Sequence, residues 1–450
     1  VDSVIFRKMP VVRLFWHLVL PGSVSRVASA LYIVFDGMFV GHCMGHDALA
    51  AITMMWPLIA IFFAVSDMIS TGSSVQISVY LGKKDNVLAN RTFTTCLALI
   101  IGISMLFSTL GYFLAYPYLD VMGVDTETRD LSLEYIIPYC VSAPFLSLFF
   151  TTDHYLRVCG RQRLSMWINV FVSLFNLLLD YIFIVELRLG VWSASLTTCL
   201  ALSTGSLMSF YPFIMRKTDV FFAKGLISLK TLWRICYNGS SELLMSTACA
   251  FFMFLVNALL LSIGGNAAVA ATAAVMYLDS VSVMLLIGMS DAMQPAISYC
   301  YGAGRLLRVL SLQRWLIRAS ALVGLFFFCF LEFLGPLIMP LYAPEGDSEF
   351  AELAVRCVRI FAFTYLFIWL DITLHAFLTA LDCPSYSFIL SFSKAIIVPL
   401  AGLYLFAYFW GLDGIWANSA VSALLTAVLA VFLVRRLWKK VRHIRLPSPV

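Results

Sequence analysis

The chain has 450 residues, 61% hydrophobic and 12% charged, with a mean hydropathy of +0.92. That apolar total suffices for roughly a dozen membrane spans of about 20 residues each, whereas soluble domains carry about 25% charge. A disordered chain, a collagen, a coiled coil and an ordinary cytosolic enzyme are excluded, leaving an all-α polytopic membrane protein. The net charge of +5 does not point to nucleic acid, because basic residues gather at span ends and form no groove-lining patch with stacking aromatics. The eleven cysteines include no CxxC pair. Most fall in apolar runs, as at Cys140, Cys199, Cys249 and Cys329, and read as small buried residues rather than disulfides or zinc ligands.

Arg7, Lys8 and Arg13 precede an apolar stretch reaching Val40. It is too long for the core of a cleavable signal, so it is expected to stay as the first span. Apolar runs broken by charge, Gly and Pro then predict twelve spans, at about 14–40, 48–80, 90–116, 131–156, 165–186, 190–215, 232–262, 267–300, 313–341, 353–380, 386–409 and 414–436. Of the 30 Lys and Arg, 24 fall at the N-terminus, in alternate loops and in the tail, all on one side. Acidic residues mark two opposite loops: Asp120, Asp125, Glu127 and Asp130 in one, Glu345, Asp347, Glu349 and Glu352 in the other. By the positive-inside rule both termini are cytoplasmic. The sequons at Asn90 and Asn238 fall on that side and are expected to carry no glycan.

Compared with itself at an offset of 220, the chain shows nine identities in the 38 positions from 45 to 82, among them Gly45/Gly265, Ala51/Ala271, Ile77/Ile297, Ser78/Ser298 and Gly82/Gly302. The offset spans six helices, so two lobes of like orientation should flank a central cleft, the plan of a transporter. The expected division is a first lobe over 1–215, a cytoplasmic linker over 216–231, a second lobe over 232–436 and a basic tail over 437–450. No HExxH or GxSxG occurs, and the six His are scattered from His17 to His443, so an enzyme is not expected.

A carboxylate in hydrocarbon costs about 2.5–3.5 kcal/mol on insertion scales and rarely faces lipid. The shortlist is Asp36, Asp67, Asp180, Glu242, Asp279, Asp291 and Asp371. Asp36, in LYIVFDGMFVG, reads either as a hydrated residue near the outer interface or as an inward-facing acid. Asp180 has Asn176 one turn before it on the same helix face. The pair suits a small cation, a protonatable acid or an interhelical hydrogen bond. Thr198 could add a hydroxyl, although such residues also serve packing. Asp371 precedes His375 by one turn, a proton relay or a structural contact. Pro21 can kink the first span.

These residues resemble the multidrug and toxic compound extrusion (MATE) family, in particular its DinF-like branch. The likeness rests on Pro21 followed by LYIVFDGMFVGHCMGHDALAA, on STGSSVQISVYLGKKDNVLAN, on LRVCGRQR and on Asn176-x-x-x-Asp180, and it extends over essentially the whole chain. It implies an antiporter driven by H+ or Na+ that exports small amphipathic compounds from the inner or plasma membrane. Such a protein is a monomer in contact with lipid, binds no nucleic acid and has no resident cofactor. The coupling site it implies is Asp36, Asn176, Asp180 and Thr198, with Pro21 as a hinge and Tyr135 near the cavity. The resemblance also places an acidic second-lobe proton site at Asp371, with His375 one turn away as its relay candidate, although the acid that relatives carry in the seventh span is absent here. Asp153 stands where relatives often have Asn before the LRxxG stretch, and Asp382 interrupts the matching Ala-Leu-Gly turn in the second half. Both are expected to bear on gating more than on substrate choice. A flippase-type transporter of lipid-linked or polyanionic substrates is the alternative, and an intramembrane enzyme a remote one.

Overall fold

The computed structural model describes residues 2–44, 46–121, 126–339 and 348–445, and every long element among them is helical. Lipid offers no partner to a backbone N–H or C=O, so apolar runs of this length satisfy their own backbone as helices. The first lobe comprises α1 (Val11–Met44), α2 (His46–Lys83), α3 (Asn86–Val121), α4 (Thr126–Val158), α5 (Gln162–Asp180) and α6 (Val191–Ile214). In the second lobe the helix Leu229–Gly302 is broken at Gly265 into α7 and α8. It is followed by α9 (Leu306–Phe333), by α10 (Ser348–Ala362 continuing through Phe363–Leu366 to Ile368–Ala380) and by α11, which starts at Pro384. A second break, at Gly411, separates α11 from α12, which runs to Arg445. Gly265 and Gly411 both have positive φ (63° and 58°), a conformation that a Cβ would strain.

Nine described helices are long and apolar enough to cross a membrane. A bent pair forming α10 is a tenth, and the stretch Pro384–Lys439 is two spans once split at Gly411. The hydroxyl-rich α6 completes the twelve. Two expected boundaries shift. The ninth span ends at Phe333, because Gly335–Pro336 starts a separate turn. The tenth bends by 41° around Phe367. Gly45, Asp125 and the stretch 340–347, with Glu345 and Asp347, lie outside the described residues.

The duplicated plan recurs in the helix ends. On the basic side α2, α4, α6, α8 and α10 each stop at a left-handed residue: Lys84, Gly160, Arg216, Gly304 and Asp382. In each, the next N–H reaches back five residues, as Asp85 to Tyr80 at 2.9 Å and Arg305 to Cys300 at 2.9 Å, the Schellman closure. Asp382 therefore occupies the position that Gly160 takes in the first half, and a short polar side chain tolerates that conformation better than most. Within lobes, hydroxyls tie α2 to α4: Ser66 to Ser147 at 3.1 Å, Ser70 to Thr151 at 2.8 Å and Ser73 to Tyr155 at 2.8 Å.

Between lobes, backbone meets backbone. A Cβ at Gly82 would overlap the Tyr299 carbonyl, and one at Gly302 would overlap that of Val79. These are reciprocal contacts between repeat-related positions. Likewise Gly239 abuts the Met68 carbonyl, Gly72 that of Ile235, and Gly22 the Ala292 side chain. Small residues allow this approach, which is how helices associate in lipid. All these contacts lie in the half nearer the basic loops. The N-terminal segment, allotted above to the first lobe, crosses the seam: Arg308 Nε donates to the Phe6 carbonyl at 2.8 Å, and Phe6 meets Tyr299 edge-on. Both sequon asparagines are buried. Asn90 Oδ1 accepts from Phe221 N in the linker at 3.0 Å, and Asn238 Nδ2 donates to the Thr379 carbonyl at 3.3 Å.

Replacing Gly239 by alanine overpacks this seam at a cost of about 1–3 kcal/mol. A lower melting temperature in detergent than the wild type is the expected result; unchanged melting would show that the seam has slack.

Candidate functional site: an oxygen-rich pocket in the first lobe

Helix α5 carries Asn176 and Asp180 one turn apart, 2% and 0% exposed. Their face is turned to α6, where Thr197 and Thr198 stand. Asn176 Nδ2 donates to Thr198 Oγ1 at 3.3 Å, and the Thr197 hydroxyl donates to Asp180 Oδ1. Thr198 thus supports the carboxamide, while Thr197 is the residue on the carboxylate. Sequence reasoning missed Thr197, because neither spacing nor composition separates two adjacent threonines.

Asp36 comes from α1 and lies within electrostatic reach of Asp180 and of the hydroxyls of Tyr32 and Tyr135. Tyr135 is 3% exposed and packs against Tyr139 with ring centroids 5.5 Å apart. The aromatic wall of Tyr32 and Tyr139 is a second feature the sequence did not single out. Three oxygens, Asp36 Oδ1, Asn176 Oδ1 and Asp180 Oδ2, are buried with no hydrogen-bond partner among the described residues. Buried oxygens are nearly always paired in proteins, so the pocket has unused capacity for a proton or a small cation. Directly after Asp180 the helix widens into a π-helical stretch, Tyr181–Glu186, a distortion frequent at functional sites.

Pro21 lies inside α1 next to Gly22 and hence at the seam, about 22 Å along the helix from Asp36 at 1.5 Å per residue. Arg26, one turn further on, crosses the seam to Asp291 at 2.5 Å. Asp67 meets His154 at 3.4 Å. Asp153 accepts from Arg157, from Ser165 at 2.5 Å and from Asn169 at 2.8 Å, so the acid that departs from the family pattern is fully engaged.

In the second lobe Asp371 and His375 do not join. Asp371, 1% exposed, pairs with Lys394 of α11 at 2.5 Å. His375 Nε2 instead meets Ser391 at 2.7 Å and Ser387 at 3.4 Å. The helical spacing that puts both residues on one face leaves each free to find a stronger partner on α11.

The MatE family model matches this chain twice, over residues 21–182 and 243–405. One match falls in each half, close to the repeat offset. The multidrug export protein MepA of Staphylococcus aureus (strain MSSA476) is 25% identical over 442 residues, covering 96% of this chain and 95% of the relative. Among solved structures, a MATE in complex with MaD3S superposes with a TM-score of 0.92 at 20% identity, covering 98% of this chain and 99% of that one. An outward-facing multidrug resistance MATE family transporter of the MOP superfamily gives 0.90 at 19% identity, covering 98% of each chain. The twelve helices, two lobes and repeat are thus those of a transporter and not of an enzyme, and the chain belongs to the MatE family.

Proposed function

We propose that this chain is an antiporter that exports small amphipathic compounds in exchange for H+ or Na+. The observation that carries the reading is the set of three unpartnered oxygens on α1 and α5 inside the first lobe. Two carboxylates in an apolar pocket do not both stay charged without a cation. A proton or sodium ion entering there offsets one of the two negative charges of Asp36 and Asp180, favours one arrangement of α1 and allows it to bend at Pro21. A drug in the central cleft favours the other arrangement, so coupling follows from mutual exclusion without contact between ion and drug. The name of MepA, a multidrug export protein, supports the substrate class. No resident cofactor is required, and the chain acts as a monomer.

Contacts between lobes cluster at the basic end, which the positive-inside rule assigns to the cytoplasm. That supports an outward-open cleft and cytoplasmic termini in an inner or plasma membrane. Alternation would then rock the lobes about the seam, with the 216–231 linker taking up the motion. Polyanion transport gains no support here, since Arg26 and Lys394 are each ion-paired to a carboxylate.

Ethidium efflux from proteoliposomes, with sodium and pH gradients imposed separately, tests the reading. Asp36→Asn and Asp180→Asn should each abolish gradient-driven efflux in a protein that still folds. Wild-type flux in both would refute the pocket and leave Asp371 as the next coupling candidate. Thr197→Ala should be more severe than Thr198→Ala, because it strips the donor from the carboxylate itself; the charge-assisted bond lost is worth about 1.5–3 kcal/mol. Topology has its own check: Asp347→Cys should react with an impermeant maleimide in intact cells, and labelling only after permeabilisation would invert the orientation.

A further inference from the structure

Ahead of α1 the chain forms a turn, Asp2–Val4, and a short helix, Ile5–Lys8. A helix this short cannot return hydrogen bonds to its last carbonyls, and Pro10, which leads into α1, has no N–H to offer. Three carbonyls are satisfied instead from the second lobe, by the arginine capping that suits a helix C-terminus. Arg308 of α9 donates through Nε to Phe6 at 2.8 Å and through Nη2 to Met9, and Arg305 Nη1 donates to Arg7 at 3.2 Å. Phe6 is fully buried, edge-on to Tyr299 of α8 with ring centroids 5.7 Å apart, and the Cys300 thiol donates to its carbonyl at 3.5 Å.

Both ends of this segment are tied to the first lobe. It runs on into α1, and at its start Ser3 N donates to Asp219 Oδ2 at 2.6 Å. Asp219 lies where the linker is fastened to α3, with Phe221 N and Ala223 N donating to Asn90 Oδ1 and Thr94 Oγ1 at 3.0 Å each. The segment is thus a hook, anchored twice on one lobe and closed over the turn between α8 and α9 of the other. That turn does not need the two guanidiniums for its own sake. At the repeat-related positions of the first half stand Asp85 and Leu88, and there the turn caps its own helix, Leu88 N donating to Asp85 Oδ1 at 3.0 Å. Arg305 and Arg308 belong to the second half alone, and both spend side-chain donors on the hook.

We propose that Arg308 is a positioning residue for transport: by holding the Ser3–Met9 hook it latches the basic ends of the two lobes together and sets the balance between the two orientations of the cleft. The latch rests on the rocking of the lobes proposed above. Opening at the basic end parts α8 and α9 from α1, so it must draw Phe6 out of its slot and break the bonds to three carbonyls together. Opening at the other end leaves all of them in place. Contacts made in only one of two states bias the equilibrium toward that state, so the hook favours the arrangement closed at the basic end.

The experiment measures the distance between two spin labels in the full chain in lipid nanodiscs. The labels are carried on p-acetylphenylalanine at positions 163 of α5 and 314 of α9, which are exposed near the basic end, one on each lobe. Two distances are expected, the shorter dominant in the otherwise unchanged chain. Arg308→Ala should raise the ratio of long to short about tenfold or more, because two bonds from a charged donor are lost. Arg308→Lys keeps a donor but has no fork to span two carbonyls, so its shift should be smaller. Phe6→Ala, which empties the slot, should shift the ratio in the same direction. With residues 3–9 replaced by glycine and serine the ratio should rise as well, and in that background Arg308→Ala should change it no further. A ratio unmoved by both Arg308→Ala and Phe6→Ala would overturn the latch and leave the rocking intact. A further shift by Arg308→Ala without the hook would overturn it too, since the arginine would then act by another route. One single distance in every sample, with ethidium, sodium or a change of pH applied, would refute the rocking and the latch together.

Discussion

Lipid rewards neither an exposed backbone group nor hydrophobic contact between helices, and most features of this molecule follow from that constraint. Helices are obligatory because each backbone group must find its partner within its own segment. The lobes can then associate only through close van der Waals approach and polar contacts. Both are present at the seam. Gly72, Gly82, Gly239 and Gly302 let backbones touch, and the Arg26–Asp291 pair crosses the same boundary. Serine and threonine ladders do similar work inside each lobe, at α2–α4 in the first and at Ser298 to the Ala380 carbonyl, 2.8 Å, in the second.

The duplication has kept geometry and changed chemistry. Equivalent helices, α5 and α11, both carry a π-helical turn, Tyr181–Glu186 and Ser393–Ile397. In the first lobe that turn follows a carboxylate whose second oxygen is open. In the second it holds an ammonium already seated on a carboxylate. One lobe thus leaves buried carboxylate oxygens unpartnered, and the other seats an ammonium on its carboxylate. Asp382 shows the same divergence on a smaller scale: it keeps the left-handed helix end of Gly160, and its carboxylate pairs with Arg234.

Much of this was legible in the sequence, because hydropathy and the alternation of basic loops report the bilayer directly. Even α6, whose hydroxyls dilute its apolar character, is legible as an apolar run that stops at Arg216 and Lys217. The repeat offset paired Gly82 with Gly302, but the reciprocal Gly82–Tyr299 and Gly302–Val79 contacts are visible only in the structure. Side-chain pairing was far less visible. Helical spacing places Asp371 and His375 on one face yet cannot show that Lys394, on another helix, reaches the acid first. Nor can it choose Thr197 over Thr198, or pair Arg26 with Asp291, 265 residues away. Such partners are fixed by the crossing of helices, and no local pattern encodes that crossing.

The position of the seam also has a mechanical consequence. Helix α2 is gripped at Met68, Gly72 and Gly82 but begins at His46, so its arm beyond the grip is about 33 Å long at 1.5 Å per residue, and a tilt of about 10° would swing its tip by about 6 Å. Carbonyl-to-glycine contacts have no compressible side chain between them, so the pivot is stiff and the lever arm long. On the proposed rocking of the lobes, the bore of the cleft's far mouth is set from the opposite face of the membrane, by backbone contacts that no cargo touches. On that reading the seam glycines would bear on which sizes of molecule pass as much as the residues lining the passage.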